Sequence, residues 1–186
     1  MFKGNIMSTV RHRFLDHHLN PATETLIIGT FNPEALGNSA NFFYGRNRNF
    51  LWTLLPTAYQ EGDLKKTDNQ EKITFIEKRK IDYIDLISEI IVEKGQEANF
   101  DDEYIDNKVS SWRDVISEID QLKNIKRVCF TRKTFSGIPN MKRQVKAIQE
   151  HCESRDIYFK AIVTPARYYS NDKQTEWTNF LLNDNR

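Results

Sequence analysis

Cysteine is scarce in this chain of 186 residues: only Cys129 and Cys152 carry thiols, far apart and without metal-ligand spacing. A disulfide framework, a four-cysteine zinc site and a four-cysteine iron–sulfur cluster cannot be built from two such residues. Long apolar runs are missing too. No stretch approaches the roughly 20 apolar residues that a membrane helix requires, and Met1 to Asn20 holds basic residues but no apolar core of a secretory signal. There is no glycine-rich phosphate loop, which argues against nucleotide-dependent transfer and dinucleotide binding. An excess of one charge is lacking as well. The net charge of +1 argues against an extended basic coat for nucleic acid but permits a local basic patch. Internal repeats, low-complexity tracts and linkers rich in Pro, Gly or Ser are also absent. The expectation is one soluble domain over residues 1–186, cytoplasmic, monomeric and off the membrane.

What is present suits a folded core: 39% of residues are hydrophobic and 12% aromatic, with 28% charged to keep the surface wet. Buried parallel strands read as short apolar runs bounded by turn residues. Thr25 to Gly29, Arg127 to Thr131 and Tyr158 to Val163 are such runs, and Ile81 to Leu86 is a weaker one. Helical spacing falls between them, in Phe50 to Leu55, in Ser111 to Leu122 with Ser110 or Ser111 as N-cap, in Asn140 to Ser154 and in Lys173 to Leu182. Tyr59 to Asp68 and Glu93 to Asp102 read as surface connections. Alternating strand and helix imply an α/β fold with a parallel sheet covered on both faces. Ligands in such folds bind beyond the carboxyl ends of the strands. That rule singles out two loops, Thr30 to Asn49 and Thr164 to Asn171.

The first loop opens Gly29-Thr30-Phe31-Asn32-Pro33 and closes Phe42-Phe43-Tyr44-Gly45-Arg46-Asn47-Arg48-Asn49-Phe50-Leu51-Trp52. Adjacent aromatics followed by alternating Arg and Asn suit the stacking of a flat base beside phosphates. Two plainer readings stand beside this one: Phe42 or Phe43 as core, and Asn49 as the cap of the following helix. Most basic clusters, including Arg11-His12-Arg13 and Arg132-Lys133, read as ordinary surface charge, whereas Arg46, Arg48 and Arg167 lie inside the two loops.

An apolar strand running into Gly-Thr-Phe-Asn-Pro, followed by Phe-Tyr-Gly-Arg-Asn-Arg-Asn-Phe-Leu-Trp, resembles the uracil-DNA glycosylase superfamily, in particular its mismatch-specific and hypoxanthine-DNA glycosylase branches. The second loop, Val163-Thr164-Pro165-Ala166-Arg167-Tyr168-Tyr169-Ser170, stands where that superfamily carries a Pro-containing motif that presses into the minor groove. Ile84-Asp85-Leu86-Ile87 is similar to the strand-end Asp of the hypoxanthine branch. The resemblance spans about Thr25 to Leu182, and its first loop is the specific part.

The resemblance implies a three-layer αβα fold around a central, mainly parallel four-stranded sheet. It implies hydrolysis of the N-glycosidic bond of uracil or hypoxanthine in DNA after base flipping, with no cofactor and no metal. It assigns the water-orienting amide to Asn32 on the mismatch-specific pattern and to Asn49 on the hypoxanthine pattern. Phe43 or Tyr44 would stack on the base with Phe31 nearby. Asp85 would accept from a base N–H, its competing reading being a helix cap. Arg46, Arg48, Thr164, Pro165, Arg167 and Tyr168 would contact DNA.

This chain departs from the pattern in several places. Two residues separate Gly29 from Asn32, one more than in the mismatch-specific branch, and Glu34 replaces a small residue. The first turn lacks an Asp to act as general base, and the second loop lacks a His. His12, Asp16, His17 and His18 do not have the spacing of a metal site. Two other functions fit the same loops: a non-catalytic module binding nucleic acid or a nucleotide-like ligand, and an N-glycosidase acting on a small nucleoside.

Overall fold

The computed structural model describes residues 6–183. In chain order the strands are β1 (Met7–Arg11), β2 (Thr25–Gly29), β3 (Ile81–Asp85), β4 (Ile87–Glu93), β5 (Val109–Trp112), β6 (Arg127–Phe130) and β7 (Tyr158–Ala161). The helices are α1 (Leu51–Ala58), α2 (Asn69–Arg79), α3 (Asp102–Ile105), α4 (Val115–Gln121), α5 (Pro139–Ser154) and α6 (Asn171–Leu182).

Four of the strands form a parallel sheet in the order β3-β2-β6-β7. Side chains on a strand alternate between faces, and both faces of this sheet are apolar. On β2, Leu26 and Ile28 join one core while Ile27 joins the other; on β6, Val128 and Phe130 oppose Cys129 in the same way. The Ile27 side is covered by Leu51, Trp52, Leu54 and Leu55 of α1, Phe75 and Ile76 of α2, and Trp177, Phe180 and Leu181 of α6. The Leu26 side is covered by Val115 and Ile119 of α4 and by Met141, Val145, Ile148 and Cys152 of α5. Each such buried side chain contributes roughly 1.5–3 kcal/mol. The result is the expected three-layer α/β fold around a four-stranded parallel sheet.

A second sheet, antiparallel in the order β1-β4-β5, packs Val10, Ile87, Ile90 and Val92 into the Leu26-side core. The sequence pattern does not reveal it. Register shifts between Ile87, Glu89 and Ile90 break the period-two alternation of β4, so its apolar residues do not read as one face. The helix expected over Ser111 to Leu122 is corrected accordingly. Ser111 and Trp112 pair with β4, and the helix starts at Val115, where Asp114 accepts from the Ser117 N–H at 3.1 Å. Apolar spacing alone cannot separate those two arrangements; pairing with β4 decides between them. Helix α2, also absent from the sequence reading, is capped by Asp68, which accepts from Glu71 N–H at 2.9 Å, a contact worth about 1 kcal/mol.

Because the central strands are parallel, the carboxyl ends of β2, β3, β6 and β7 lie along one edge of the sheet. The turn after Gly29, Asp85, Thr131 and the loop into α6 meet there.

Candidate active site

A cavity of about 360 Å³ opens at that edge. Of the residues singled out in the sequence, Phe31, Asn32, Phe43, Tyr44, Arg46, Asn49, Asp85, Thr164, Pro165 and Arg167 line it. Arg48 and Tyr168 do not. Both are exposed outside it, Tyr168 with its ring 4.0 Å from the Lys173 ammonium.

The first turn is held from the N-terminal segment. Arg13 donates to the carbonyls of Asn38 and Ala40, at 2.7 Å each, and to that of Ala35 at 3.2 Å, closing the loop on itself. Its Nε also pairs with Glu34 at 3.2 Å, so the carboxylate that departs from the family pattern is neutralised and lies outside the cavity lining. Asn32 is buried, and its Oδ1 accepts from Asn38 Nδ2. The orientation of Asn38 is fixed independently: its Oδ1 accepts from Ala40 N–H, and its Nδ2 also donates to the Pro33 carbonyl at 2.8 Å. The atom of Asn32 that faces it is therefore the oxygen.

Asn49 Oδ1 accepts from Leu51 N–H at 3.0 Å at the start of α1. The plain reading of Asn49 as the helix cap is corrected: the N-cap is Phe50, which makes no side-chain cap bond, and Asn49 stands one residue before it, its oxygen closing a turn on Leu51. The same residue stitches the two loops together, since Asn49 and Ala166 form an antiparallel bridge. On either side of that bridge, Phe50 N–H donates to the Pro165 carbonyl at 2.9 Å and Arg167 N–H to the Arg48 carbonyl at 2.7 Å.

Phe43 is mainly core. It is 4% exposed, stacks on Tyr83 with centroids 5.6 Å apart, and packs against Phe14 at 4.7 Å. Tyr44 differs, adopting φ 55°, a conformation uncommon outside glycine. Burial, reinforced by the charge on Asp85, pushes its phenol well above the usual range, so it is a protonated donor at neutral pH. Its hydroxyl lies 3.5 Å from Thr131 Oγ1, a weak contact. Asp85 ends β3 and is separated from β4 by Leu86 alone, so it caps no helix. One oxygen, Oδ2, is 2.6 Å from His12 Nε2; the other accepts no hydrogen bond among the described residues. Gly29 makes this crowding feasible, since a β-carbon there would sit 2.2 Å from Asp85 Oδ1 and 2.8 Å from the Tyr44 hydroxyl.

The cations are arranged unequally. Arg46 lies with its guanidinium carbon 3.5 Å from the Phe100 ring centroid and has no ion-pair partner among the described residues. Burial lowers its pKa, opposed by the charges of Asp85 and Asp102. Arg132 is spoken for by Asp102 and by the Thr134 carbonyl.

Sequence reasoning missed His12, Arg13, Phe100, Asp102, Thr131 and Arg132 here. Thr131 and Arg132 follow β6 directly, so the strand-end rule that located the other loops would have found them. Phe100 and Asp102 stood in a segment read as surface connection, and nothing in the local pattern brings them to the cavity. His12 and His17 pair with different carboxylates, Asp85 and Asp82.

No protein-family model and no curated protein matches the chain. Among solved structures, it is similar to a solution structure of "a putative Uracil DNA glycosylase" from Methanosarcina acetivorans. The TM-score is 0.59 and the identity 16%, over 88% of this chain and 91% of that one. The two chains share a fold. At this identity the likeness speaks for the fold alone. No helix among the described residues is long and apolar enough to cross a membrane.

Proposed function

We propose that this chain is a DNA glycosylase that hydrolyses the N-glycosidic bond of a deaminated base, uracil or hypoxanthine, flipped into the cavity. The observation that carries this reading is the convergence of Asn32, Tyr44, Asn49, Asp85 and Thr164 on one cavity at the carboxyl edge of the sheet, with Arg46, which has no ion-pair partner among the described residues, beside them. A cavity of about 360 Å³ suits a single base with part of its sugar.

In this reading the bond from C1′ to the base nitrogen breaks through an oxocarbenium-like sugar. The bonding electrons leave with the base, a water oxygen bonds to C1′, and the water's proton ends on the base. Asn32 orients that water through the second lone pair of Oδ1, the first being taken by Asn38. Asn49 Oδ1 has one lone pair taken by Leu51 N–H, and its Nδ2 serves as the donor towards the substrate. Tyr44 donates to a base carbonyl, and Asp85 Oδ1 accepts from the base edge. Arg46 and Arg167 neutralise phosphates at the cavity and its rim, with Pro165 touching the strand at the cavity wall and Arg48 and Tyr168 farther out.

The test is a base-release assay on oligonucleotides bearing a single uracil, hypoxanthine, xanthine or mismatched base. Release of uracil or hypoxanthine is expected, with Asn32→Ala losing on the order of 10²-fold or more in rate and Asn49→Ala losing less. Salt-sensitive DNA binding without release of any base would instead favour a binding module. Failure to bind DNA at all would leave a small nucleoside as the ligand.

A further inference from the structure

The N-terminal segment contributes one side chain to the cavity's chemistry that the loops do not account for. His12 follows β1 and is 5% exposed. Its backbone N–H bonds the Ser88 carbonyl at 2.9 Å, and it bridges to Pro33. Its ring lies edge-on to Phe31 at 5.8 Å and to Phe14 at 6.1 Å, and tilted to Phe43 at 6.2 Å. The Phe14 N–H donates to His12 Nδ1 at 3.0 Å, which makes Nδ1 the unprotonated nitrogen. Nε2 therefore carries the hydrogen and donates it to Asp85 Oδ2 at 2.6 Å.

We infer that His12 is a specificity-determining positioning residue: by holding Asp85 Oδ2, it aims Oδ1 into the cavity as a rigid acceptor beside the Tyr44 donor. The inference rests on the glycosylase reading for its substrate. Asp85 Oδ1 and the Tyr44 hydroxyl lie within 2.8 Å of the same point, the place of a β-carbon on Gly29. An acceptor next to a donor matches a lactam edge, a ring N–H beside a carbonyl. An amidine edge, as in adenine, presents the same two functions in the opposite order. The Tyr44 phenol can turn to accept from the amino group, but the ring nitrogen faces the Asp85 carboxylate lone pair to lone pair, so the discrimination rests on Asp85. That discrimination holds only while Asp85 cannot rotate. His12 supplies the restraint from a ring that the surrounding aromatics lock in place.

The experiment compares release of hypoxanthine with 1-methylhypoxanthine, and of uracil with 3-methyluracil, from otherwise identical oligonucleotides. Each methylated base lacks the N–H that Asp85 would accept. The wild type is expected to prefer the unmethylated base by at least about 100-fold in kcat/KM. His12→Phe, which keeps the aromatic packing but removes the donor, is expected to reduce that ratio at least tenfold. His12→Gln, whose side-chain amide can donate in the same direction, is expected to restore most of it. Thermal melting of each variant checks that it is folded. Equal ratios in wild type and His12→Phe, or equal collapse in His12→Phe and His12→Gln, would overturn the inference.

A second readout does not depend on activity. Long-range ¹H–¹⁵N spectra of the full chain should show His12 as the Nε2–H tautomer, with that proton shifted in Asp85→Asn. An Nδ1–H tautomer would overturn the inference even in an active enzyme. If the wild type releases no base at all, the glycosylase reading fails separately. Titration with free hypoxanthine and 1-methylhypoxanthine then decides: weaker binding of the methylated base in wild type but not in His12→Phe sustains the positioning role, and equal binding of the two bases by wild type removes it.

Discussion

Gly29 is the residue on which the site turns. Its backbone is ordinary strand, so glycine is required by space rather than by conformation. Asp85 Oδ1 and the Tyr44 hydroxyl occupy the volume that a β-carbon would fill. An end-of-chain atom usually yields to such a clash, but here the carboxylate is pinned at its other oxygen by His12. Gly29→Ala is therefore expected to displace the Asp85–Tyr44 pair and to lower base release on the order of 10²-fold. The urea midpoint should fall as well, since displacing Asp85 breaks its buried hydrogen bond to His12 while the strand pairs of β2 remain. Base release at the wild-type rate would show that Asp85 and Tyr44 do not act together. At this scale the sequence was partly legible. Asn32, Tyr44 and Asp85 stand out by motif, whereas His12 could be found only by seeing which carboxylate its ring meets 73 positions away.

Among the elements, the two loops work as a unit because α6 fastens one of them. Lys173, in the first turn of α6, is 4% exposed. Its ammonium donates to the carbonyls of Ala166 at 2.8 Å and Tyr168 at 3.0 Å. Burial, with Arg167 adding repulsion, pulls its pKa below the usual lysine value. Charge-assisted hydrogen bonds of this kind contribute roughly 1.5–3 kcal/mol. Lys173→Met should keep the apolar stem and release the loop. The amide of Arg167, which donates to the Arg48 carbonyl, is then expected to exchange with solvent about 10- to 100-fold faster, and DNA affinity should fall with it. Unchanged exchange would mean that the Asn49–Ala166 bridge holds the loop unaided. Spacing alone suggests a helix here but not the inward lysine, since a lysine in a first turn ordinarily points to water.

On the scale of the whole molecule, the small sheet is tied to the segment that returns to the cavity wall. Glu93, at the end of β4, accepts from Lys108 Nζ at 2.5 Å and from the Tyr104 hydroxyl on α3. Lys108 first and Tyr104 second lower the Glu93 carboxyl from 4.5 to about 2. A carboxylate depressed on folding adds stability that is fully present above its unfolded value and is lost as pH falls through the folded one. Wild type should therefore unfold at higher urea than Glu93→Gln at pH 7. The gap should shrink between about pH 4.5 and 2 and vanish below that range. A gap that stays constant as the pH falls from 4.5 to about 2 would assign the effect to packing rather than charge. Asp102 and Phe100 reach the cavity on this same segment, so its anchoring bears on the site as well as on the fold.

By itself, the sequence determined the parallel sheet. Runs such as Thr25 to Gly29 are apolar on both alternations, and only a strand covered on both faces needs that. It also pointed to the edge at which the candidate cavity opens, because parallel strands send their carboxyl ends to one edge and the loop after Gly29 must begin there. Tertiary structure decided the rest. The antiparallel sheet depends on pairings between segments whose own periodicity is broken. The acceptor oxygens of Asn32 and Asn49 are engaged by neighbours that local patterning does not reveal. Asp85 Oδ2 is held by a histidine 73 positions away in the chain. Periodicity reports what a residue faces, and burial-driven long-range contacts decide what it touches.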